Sequence, residues 1–493
     1  MSATQVHRLV ALNLLVAPLY SVSAADLHLA KQRVTNLAFG SCHKNEYVLA
    51  EDNQPSVWDA LLDGHRPDAF LWTGDTVYPP RRGIKSIEEL ETEYHKTTSL
   101  LARHKFPPLG FYGTWDDHDY GGNDMGNRMP NRTERRRALF DFLNYTKADW
   151  FPMMREGVYH SIDFGEPPEQ VKVVLLDTRW HRDDLPFVPH ALATSFPLGA
   201  GLACILRWLR AGLGLFKLWS SLSSSQRTSV LGEEQWSWFQ KELVNSEAQL
   251  HVVVSSIQVL TTNPVVESWG HFPHERQRLL RLLKDRRDVP TVLLSGDVHH
   301  AEVIEPFPDT LMEVTSSGLT HSCTKPFYGG LCEPLLRTFA AHRGKAREHD
   351  YYIGRNFGTV RVDWGSPGGR FRVDVWNAAG NTSVLTTGWK PLGSSPPPSS
   401  VGSSLLPPWD IDSLPQVVDG HLIPKVRGLL VRCLIAAMVV LQIWVWFVLV
   451  PRAYRMNRRQ ARDAVAVLAD NDEFTPSDSI MGSKDGGLKS KIE

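Results

Sequence analysis

The sequence lacks an excess of charge of either sign and shows no internal repeat. Its 53 lysines and arginines nearly balance its 54 aspartates and glutamates, which argues against nucleic acid as a partner because nucleic-acid-binding chains usually carry a basic surplus. The low net charge also argues against global disorder. The 493 residues exceed one ordinary domain, although a single α/β enzyme domain can fill most of such a chain.

Apolar runs near the two ends of the chain differ in length, and the lengths suggest different roles. The run at 9–20 is too short to cross a membrane and is followed by small residues up to Ala25, which is typical of a secretory signal peptide at 1–25. The run at 429–450 has the roughly 20 apolar residues that a spanning helix needs. A cluster of arginines follows it, so we expect a transmembrane helix with a cytoplasmic tail.

These signals divide the chain into segments. After the signal peptide we expect a large folded domain at 26–390, a stalk rich in proline and serine at 391–425, the transmembrane helix at 429–450 and a polar tail at 451–493. The protein is then a single-pass type I membrane protein whose large domain faces the lumen or the cell exterior.

Two lysines near the end of the chain bear on localisation. Lys489 and Lys491 resemble the dilysine signal that coat proteins read on membrane proteins. This favours the endoplasmic reticulum or early Golgi, with the plasma membrane as the alternative.

An apolar insert at 195–222 stands out within the large domain, interrupted by Arg207, Arg210 and Lys217. Such a segment can lie on a membrane surface as an interfacial helix. It can equally pack on the domain as a hydrophobic lid. The sequence leaves both alternatives open.

Cysteines are few, and there are 5 in the chain. Cys323 and Cys332 flank a turn-rich loop and can pair in an oxidising compartment. Cys204 lies in the apolar insert and Cys433 in the apolar run at 429–450, which leaves Cys42 unexplained. Glycosylation sequons, usable only in the secretory lumen, begin at Asn131, Asn144 and Asn381.

Between the two ends, short apolar runs alternate with amphipathic segments. A strand is predicted at 171–176 and another at 251–255, and helices are predicted at 233–243 and 274–284. Strands that alternate with helices favour an α/β sandwich.

Four of the predicted strands end in residues that bind metals. Cys42 ends the first run, and Asp75 and Tyr78 follow the second. Residues 116–119 read Asp-Asp-His-Asp, and residues 296–300 read Gly-Asp-Val-His-His. Ligands bind at the carboxyl ends of strands in α/β sheets, so we expect these side chains to share one site.

This ordered set, from about 34 to 376, resembles the PhoD-like (alkaline phosphatase D) branch of the calcineurin-like metallophosphoesterases. The resemblance implies the metallophosphoesterase-type α/β sandwich and a pair of metal ions held by Cys42, Asp75, Tyr78, Asp117, Asp297 and His299. Asp75 is the expected bridge between the two ions. Two ions about 3.5–4 Å apart neutralise phosphate oxygens and generate hydroxide near neutral pH.

The donor types indicate two different metals. Cys42 and Tyr78 supply a soft thiolate and a phenolate, which suit a ferric ion. Asp117 and Asp297 are oxygen donors that suit calcium, manganese or magnesium, and known family members imply Fe3+ with Ca2+. The superfamily has a further histidine ligand where this chain has Ser-Ser-Ile-Gln at 255–258. Coordination of the second ion is therefore incomplete, and water or substrate can fill it.

Three further residues are expected to act in catalysis. By the resemblance, His118 protonates the leaving group and Asp119 orients its imidazole. Arg179, together with Arg182, can clamp phosphate oxygens with its planar guanidinium. The alternative for both arginines is a salt bridge to Asp183 or Asp184.

The function that these residues favour is a binuclear-metal phosphomonoesterase or phosphodiesterase. Its substrate is a phosphate ester, and a lipid or membrane-proximal ester is one candidate. The alternative is a non-catalytic membrane receptor or scaffold on the same fold, which loss of ligands would favour. All four ligand-bearing motifs are intact.

Overall fold

The computed structural model describes most of the chain from residue 32 to 393 and shorter pieces beyond it. The described ranges are 32–49, 56–80, 83–145, 155–184, 198–212, 228–324, 350–393 and 409–414, with single residues and short pieces within 330–336 and 435–459. The chain forms two compact units, Met1–Leu422 and Ile423–Glu493. The predicted signal peptide, most of the predicted stalk, and Lys489 and Lys491 lie outside the described residues.

Two 7-stranded sheets form the centre of the first unit. Their strands are β1 (Asn36–Gly40), β2 (Ala69–Thr73), β3 (Phe111–Thr114), β4 (His160–Phe164), β5 (Val171–Leu175), β6 (Leu250–Val254), β7 (Thr291–Ser295), β8 (Ala301–Phe307), β9 (Leu311–Ser316), β10 (Tyr351–Tyr352), β11 (Asn356–Asp363), β12 (Arg370–Asn377), β13 (Ser383–Thr386) and β14 (Lys390–Pro391). One sheet has the order β13-β12-β11-β1-β2-β3, with β14 also pairing with β12, and the other has the order β10-β8-β9-β7-β6-β5-β4.

Each strand that carries predicted ligands has at least one parallel neighbour. In the first sheet, β1 pairs with β2 and β2 with β3, and in the second, β5, β6, β7 and β9 run parallel. The side chains of β2, β5, β6 and β7 are buried throughout, because parallel sheets are covered on both faces. Parallel strands place their carboxyl ends at one edge, so the loops that follow them can meet.

Helices cover the outer faces of both sheets. They are α1 (Asn45–Leu49), α2 (Ile87–Leu101), α3 (Asp117–Tyr120), α4 (Arg132–Phe142), α5 (Leu198–Gly212), α6 (Gly232–Val244) and α7 (Pro273–Asp285), with a π-helix at Asp59–His65 and a 3-10 helix at Trp269–His271. The helix α2 begins with a capping box, in which Ser86 Oγ accepts the Glu89 N–H and the Glu89 carboxylate accepts the Ser86 N–H.

Three hydrophobic clusters define the layers. The middle cluster joins side chains of both sheets, including Phe39 and Val252. A second cluster packs α2 and α4 on the first sheet through residues such as Leu90. A third packs α6 and α7 on the second sheet through residues such as Phe239 and Leu279. The first unit is therefore a mixed α/β fold in which two facing sheets lie between helices.

The predicted transmembrane helix at 429–450 is wrong. Among the residues that the structure describes, no helix combines the length and apolar character that a membrane crossing requires. A π-helix at Val445–Leu449 is described within the predicted span. The fold class with a C-terminal membrane helix and the assignment as a single-pass membrane protein are corrected accordingly.

The predicted disulfide and glycosylation positions lie in described parts of the first unit. Cys323 and Cys332 are joined by a disulfide bond, with their Cα atoms 5.9 Å apart. The side chains of Asn131 and Asn381 are exposed, and that of Asn144 is half-buried. Glycosylation at these positions stays a prediction.

Candidate metal centre

Loops after four parallel strands bring the predicted ligands together. Cys42 follows β1, Asp75 follows β2, Asp117 begins α3 just after β3, and Asp297 and His299 follow β7. Their donor atoms form groups in which every atom lies within 4.8 Å of the others. The resulting site lies at the edge of the sheets where the carboxyl ends of these strands meet.

The first group contains a thiol, a carboxylate and an imidazole. Cys42, Asp75 and His299 each offer one ligand atom to it. The sulfur of Cys42 lies 3.6 Å from Oδ2 of Asp75. The Tyr78 hydroxyl donates to the same Oδ2 and lies 3.3 Å from Nε2 of His299. Thiol, phenol, imidazole and carboxylate therefore converge on one point.

The second group contains only carboxylates, namely Asp75, Asp116, Asp117 and Asp297. Asp75 belongs to both groups, and its Oδ1 accepts the backbone N–H of His118 at 3.2 Å. Oδ1 of Asp117 is buried and accepts no hydrogen bond from any residue in the described ranges. A buried carboxylate oxygen without a donor is costly unless a cation compensates it.

Several of these residues adopt left-handed backbone conformations. The φ angles are 61° at Cys42, 52° at Asp75, 70° at Asp297 and 59° at His299. Non-glycine residues rarely adopt such values, and they persist where the surrounding structure enforces them, often at functional sites. Gly74 has a φ of 95°, and a Cβ there would lie 2.6 Å from Cβ of Asp116. Only glycine lets the β2 turn approach the β3 turn this closely.

Burial and mutual repulsion raise the pKa values of Asp75 and Asp297. Burial also acts to raise the pKa of Asp117, but the nearby His118 and Arg179 lower it below its usual value. Burial raises the pKa of Asp75, and neighbouring Asp117 and Cys42 raise it further. Burial also raises the pKa of Asp297 and raises that of the Cys42 thiol to about 11. A cation among these groups would stabilise their anionic forms and reverse the shifts. The donor set therefore fits metal ions.

His118 lies beside the metal-binding groups on α3. Its ring stacks on that of Tyr78 with centroids 4.1 Å apart, and its Nε2 lies 3.9 Å from Oδ1 of Asp117. Removal from water lowers the pKa of His118, and the Asp117 carboxylate opposes that shift. The side chain keeps 26% of its surface exposed, compared with 3% for Asp117, so it can reach a bound molecule from the solvent side.

Asp119 is engaged by the backbone. Its Oδ1 accepts the N–H of Asp116 at 2.6 Å, and its Oδ2 accepts the N–H of Thr76 at 3.0 Å. It thus caps α3 and ties that turn to the loop after β2. The geometry gives Asp119 a positioning role for both ligand-bearing loops rather than a direct contact with the His118 imidazole.

Arg179 lies in a buried ionic network instead of facing solvent. Its guanidinium pairs with Asp116 and, at 3.0 Å, with Glu267. Arg182 pairs with Glu267 at 2.6 Å. The side chain of Arg179 is fully buried. Neither predicted alternative describes it, because its partners are not Asp183 or Asp184 and its charge is already neutralised by Asp116 and Glu267.

Sequence reasoning missed three polar residues that support the site. Ser256 donates to Oδ1 of Asp116 at 2.7 Å, so the strand end that lacks the superfamily's histidine supports an aspartate instead. Glu267 holds both buried arginines. Ser317 Oγ lies 3.0 Å from the Cys42 sulfur and accepts the His299 N–H at 2.8 Å. Ser256 lies in the Ser-Ser-Ile-Gln segment at 255–258. Nothing in the sequence around Glu267 or Ser317 indicated that these residues support the site.

The disulfide lies next to the His299 loop. The backbone N–H of Cys323 donates to the carbonyl oxygen of His299 at 2.7 Å. His299 is therefore held through its N–H by Ser317 and through its carbonyl by Cys323. These two bonds maintain its left-handed conformation, which the loop sequence alone does not impose.

A separate group of potential ligands lies nearer the surface. Asp59, Asp63 and His104 bring ligand atoms close together, but Nδ1 of His104 lies 2.9 Å from the Asp63 carboxylate, and the side chains of the two aspartates are about half exposed. Exposed acidic groups often pair in this way without a metal.

Comparison with known proteins identifies proteins that are similar to this chain. A family model described as PhoD-like phosphatase matches residues 37–367. Alkaline phosphatase D of Bacillus subtilis (strain 168) is 25% identical over 296 residues, which cover 53% of this chain and 45% of that protein. The chain thus spans about half the length of the curated relative it matches.

A solved structure titled "Structure of PhoD" is similar with a TM-score of 0.44 and 16% identity, covering 72% of each chain. The family model extends over well more than half of the sequence. The chain belongs to the PhoD-like phosphatase family.

Proposed function

We propose that this protein is a metal-dependent phosphoesterase that hydrolyses phosphate monoesters or diesters. The observation that carries the proposal is that the thiol-containing group and the carboxylate-only group of ligand atoms share Asp75. One carboxylate shared between two groups is what a pair of neighbouring metal ions requires. When bound, two such ions neutralise phosphate oxygens and lower the pKa of water.

The two groups differ in chemistry, which supports two different ions. Cys42, Tyr78 and His299 would hold one ion with Asp75, and this thiolate-phenolate set suits Fe3+. Asp117 and Asp297 would hold the other with Asp75, and oxygen donors suit Ca2+, Mn2+ or Mg2+. Asp116 adds a fourth carboxylate to this second group, although Arg179 and Ser256 already engage its Oδ1.

The remaining residues orient the ligands and move a proton. His118 is the proposed proton donor to the leaving-group oxygen, because it is beside the acidic groups and partly exposed. Asp119 positions the loops of Asp75 and Asp117 through backbone hydrogen bonds. Arg179 is a positioning residue that keeps Asp116 in place. The intact ligand set disfavours a non-catalytic scaffold.

The test is an Asp75→Asn variant of the full chain. An amide cannot bridge two cations as a carboxylate does, so we expect loss of bound metal and of hydrolysis. Metal content is measured by mass spectrometry, and activity with p-nitrophenyl phosphate and bis-p-nitrophenyl phosphate in parallel. The matched control is Asp63→Asn in the surface group, which should retain both. Wild-type activity in Asp75→Asn would rule out the two-metal proposal.

A further inference from the structure

The apolar insert contributes a helix that packs on the domain. In the helix α5, Ala203 is fully buried and Leu209 is 7% exposed. Leu206 packs against the hydrophobic cluster that joins α6 and α7 to the second sheet. Leu202 and Ile205 remain exposed at 37% and 48%. One face of α5 therefore packs on the protein, and Arg207 lies on that face.

Arg207 is buried and makes three directed contacts. Its Nη1 lies 2.6 Å from Oδ2 of Asp124, its Nε donates to the Val265 carbonyl at 2.9 Å, and its Nη2 lies 3.3 Å from the Cys204 sulfur. The side chain keeps 6% of its surface exposed. A buried arginine costs desolvation energy unless it is paired and hydrogen-bonded, and these contacts satisfy that condition.

Asp124 connects Arg207 to the proposed second metal site. Its backbone N–H donates to Oδ2 of Asp117 at 2.7 Å, and its carbonyl oxygen accepts from Arg182. Asp124 has a φ of 54°, a strained conformation that its contacts must maintain. The path from α5 to the predicted ligand Asp117 thus consists of one salt bridge and one backbone hydrogen bond.

We propose that Arg207 is a positioning residue for the second metal site. This inference rests on the proposed function, because Asp117 is a ligand only if that site binds metal. The salt bridge holds Asp124 in the turn from which its N–H orients the Asp117 carboxylate. It also neutralises Asp124, whose carboxylate lies within reach of Asp117 and Glu267 and would otherwise add negative charge beside the ligand.

The experiment measures calcium binding to the full chain, by equilibrium dialysis with calcium alone and mass spectrometry of both metals. Arg207→Met keeps an apolar stem and removes the charge. We expect it to weaken calcium binding about 10–100-fold, the usual cost of losing a residue that orients a ligand. The metal held by Cys42, Tyr78 and His299 should remain. Ile205→Ser, on the exposed face of α5, is the matched control and should bind calcium as the wild type does.

A double variant separates positioning from simple charge burial. Arg207→Met alone leaves Asp124 buried without a partner and can destabilise the fold. Arg207→Met combined with Asp124→Asn removes both charges and should recover stability, measured by denaturant unfolding. The salt bridge between residues 207 and 124 is still absent in this double variant, so calcium binding should remain weakened.

The outcomes distinguish this inference from the proposed function. Wild-type calcium binding in the double variant, or in a folded Arg207→Met variant, would overturn the role of Arg207 while leaving the two-metal site intact. A wild-type chain that binds no metal would overturn the proposed function and this inference with it.

Discussion

The sulfur of Cys42 lies 3.6 Å from Oδ2 of Asp75, although 33 residues separate them in the sequence. The two strands that precede these residues are parallel neighbours, with Gly40 opposite Trp72. The turns after both strands adopt left-handed conformations, which bring the thiol and the carboxylate together. This contact is the basis of the mixed donor set.

Cys42→Ser should lose the metal held by the thiol-containing group. Serine is a harder and far less acidic donor, so it cannot replace a thiolate toward ferric iron. We expect iron per chain to fall by at least about tenfold, with loss of hydrolysis. The control is Cys204→Ser, the other free cysteine in the described ranges, because serine there can still accept the Arg207 hydrogen bond. Equal iron content in both variants would argue against Cys42 as a ligand.

His118→Asn should retain metal but slow turnover. Asparagine preserves a polar side chain beside Tyr78 but cannot deliver a proton, and general acid catalysis typically contributes about 10²–10⁴-fold. Because nitrophenolate leaves without protonation, the loss in kcat should be much smaller with p-nitrophenyl phosphate than with an alkyl phosphate. Identical losses for the two leaving groups would remove His118 from the proton-donor role.

Arg179→Met should destabilise the fold strongly. It leaves Asp116 buried without its arginine and leaves Glu267 with Arg182 alone, and breaking a buried ion pair in this way costs about 3–5 kcal/mol. Denaturant unfolding measures the loss. Arg278→Met is the matched control, since Arg278 pairs with Glu233 at 2.6 Å on the surface, where such pairs contribute about 0–1 kcal/mol. A loss no larger than the control's would contradict the role of Arg179 in the buried network.

The buried histidine His160 predicts how stability depends on pH. Its Nδ1 donates to the Val158 carbonyl and its Nε2 lies 3.0 Å from the Tyr145 hydroxyl. Burial lowers the pKa of His160 from 6.5 to about 3. Between these two pH values the unfolded chain binds a proton at His160 that the folded chain does not. The contribution of neutral His160 to the free energy of unfolding is therefore fully present above pH 6.5 and is lost as the pH falls.

His160→Gln should remove this part of the acid sensitivity. From pH 7 to pH 5 the wild type should lose about 2 kcal/mol more unfolding free energy than the variant. A difference in unfolding free energy between the variant and the wild type at pH 7 is a constant offset, because it does not come from proton binding. Denaturant unfolding at several pH values tests this, with His95→Gln on the exposed face of α2 as the control. Parallel pH curves for wild type and His160→Gln would contradict the prediction.

Local signals explain which parts of the site could be predicted. Cys42, Asp75, Asp117 and Asp297 each follow a short apolar run directly, and a strand end is readable from such a run and the polar residues after it. The helices predicted at 233–243 and 274–284 lie within α6 and α7, because apolar residues recur there with helical spacing. The ordered set of these motifs also predicted the family, which the family model confirms.

Other residues could not be interpreted without the fold. The position of Arg179 shortly after a predicted strand is compatible with a phosphate clamp. Only the structure shows that Glu267, from a distant loop, pairs with Arg179. The apolar run at 429–450 predicted a spanning helix from its composition alone, and no helix in the described part of the chain is long and apolar enough to cross a membrane. Arg207 lies in an insert whose sequence permitted two roles, and its contact with Asp124 depends on how α5 packs.

The sequence by itself determined the donor types and their positions at strand ends, because strand, turn and metal preference are properties of neighbouring residues. Tertiary structure decided which donors share an ion, which charges neutralise one another and which side chains remain reachable. Those relationships join residues such as Asp116 and Arg179, which are 63 apart, and they depend on distance and burial. Neither quantity exists until both sheets have packed and water has been excluded from the space between the loops.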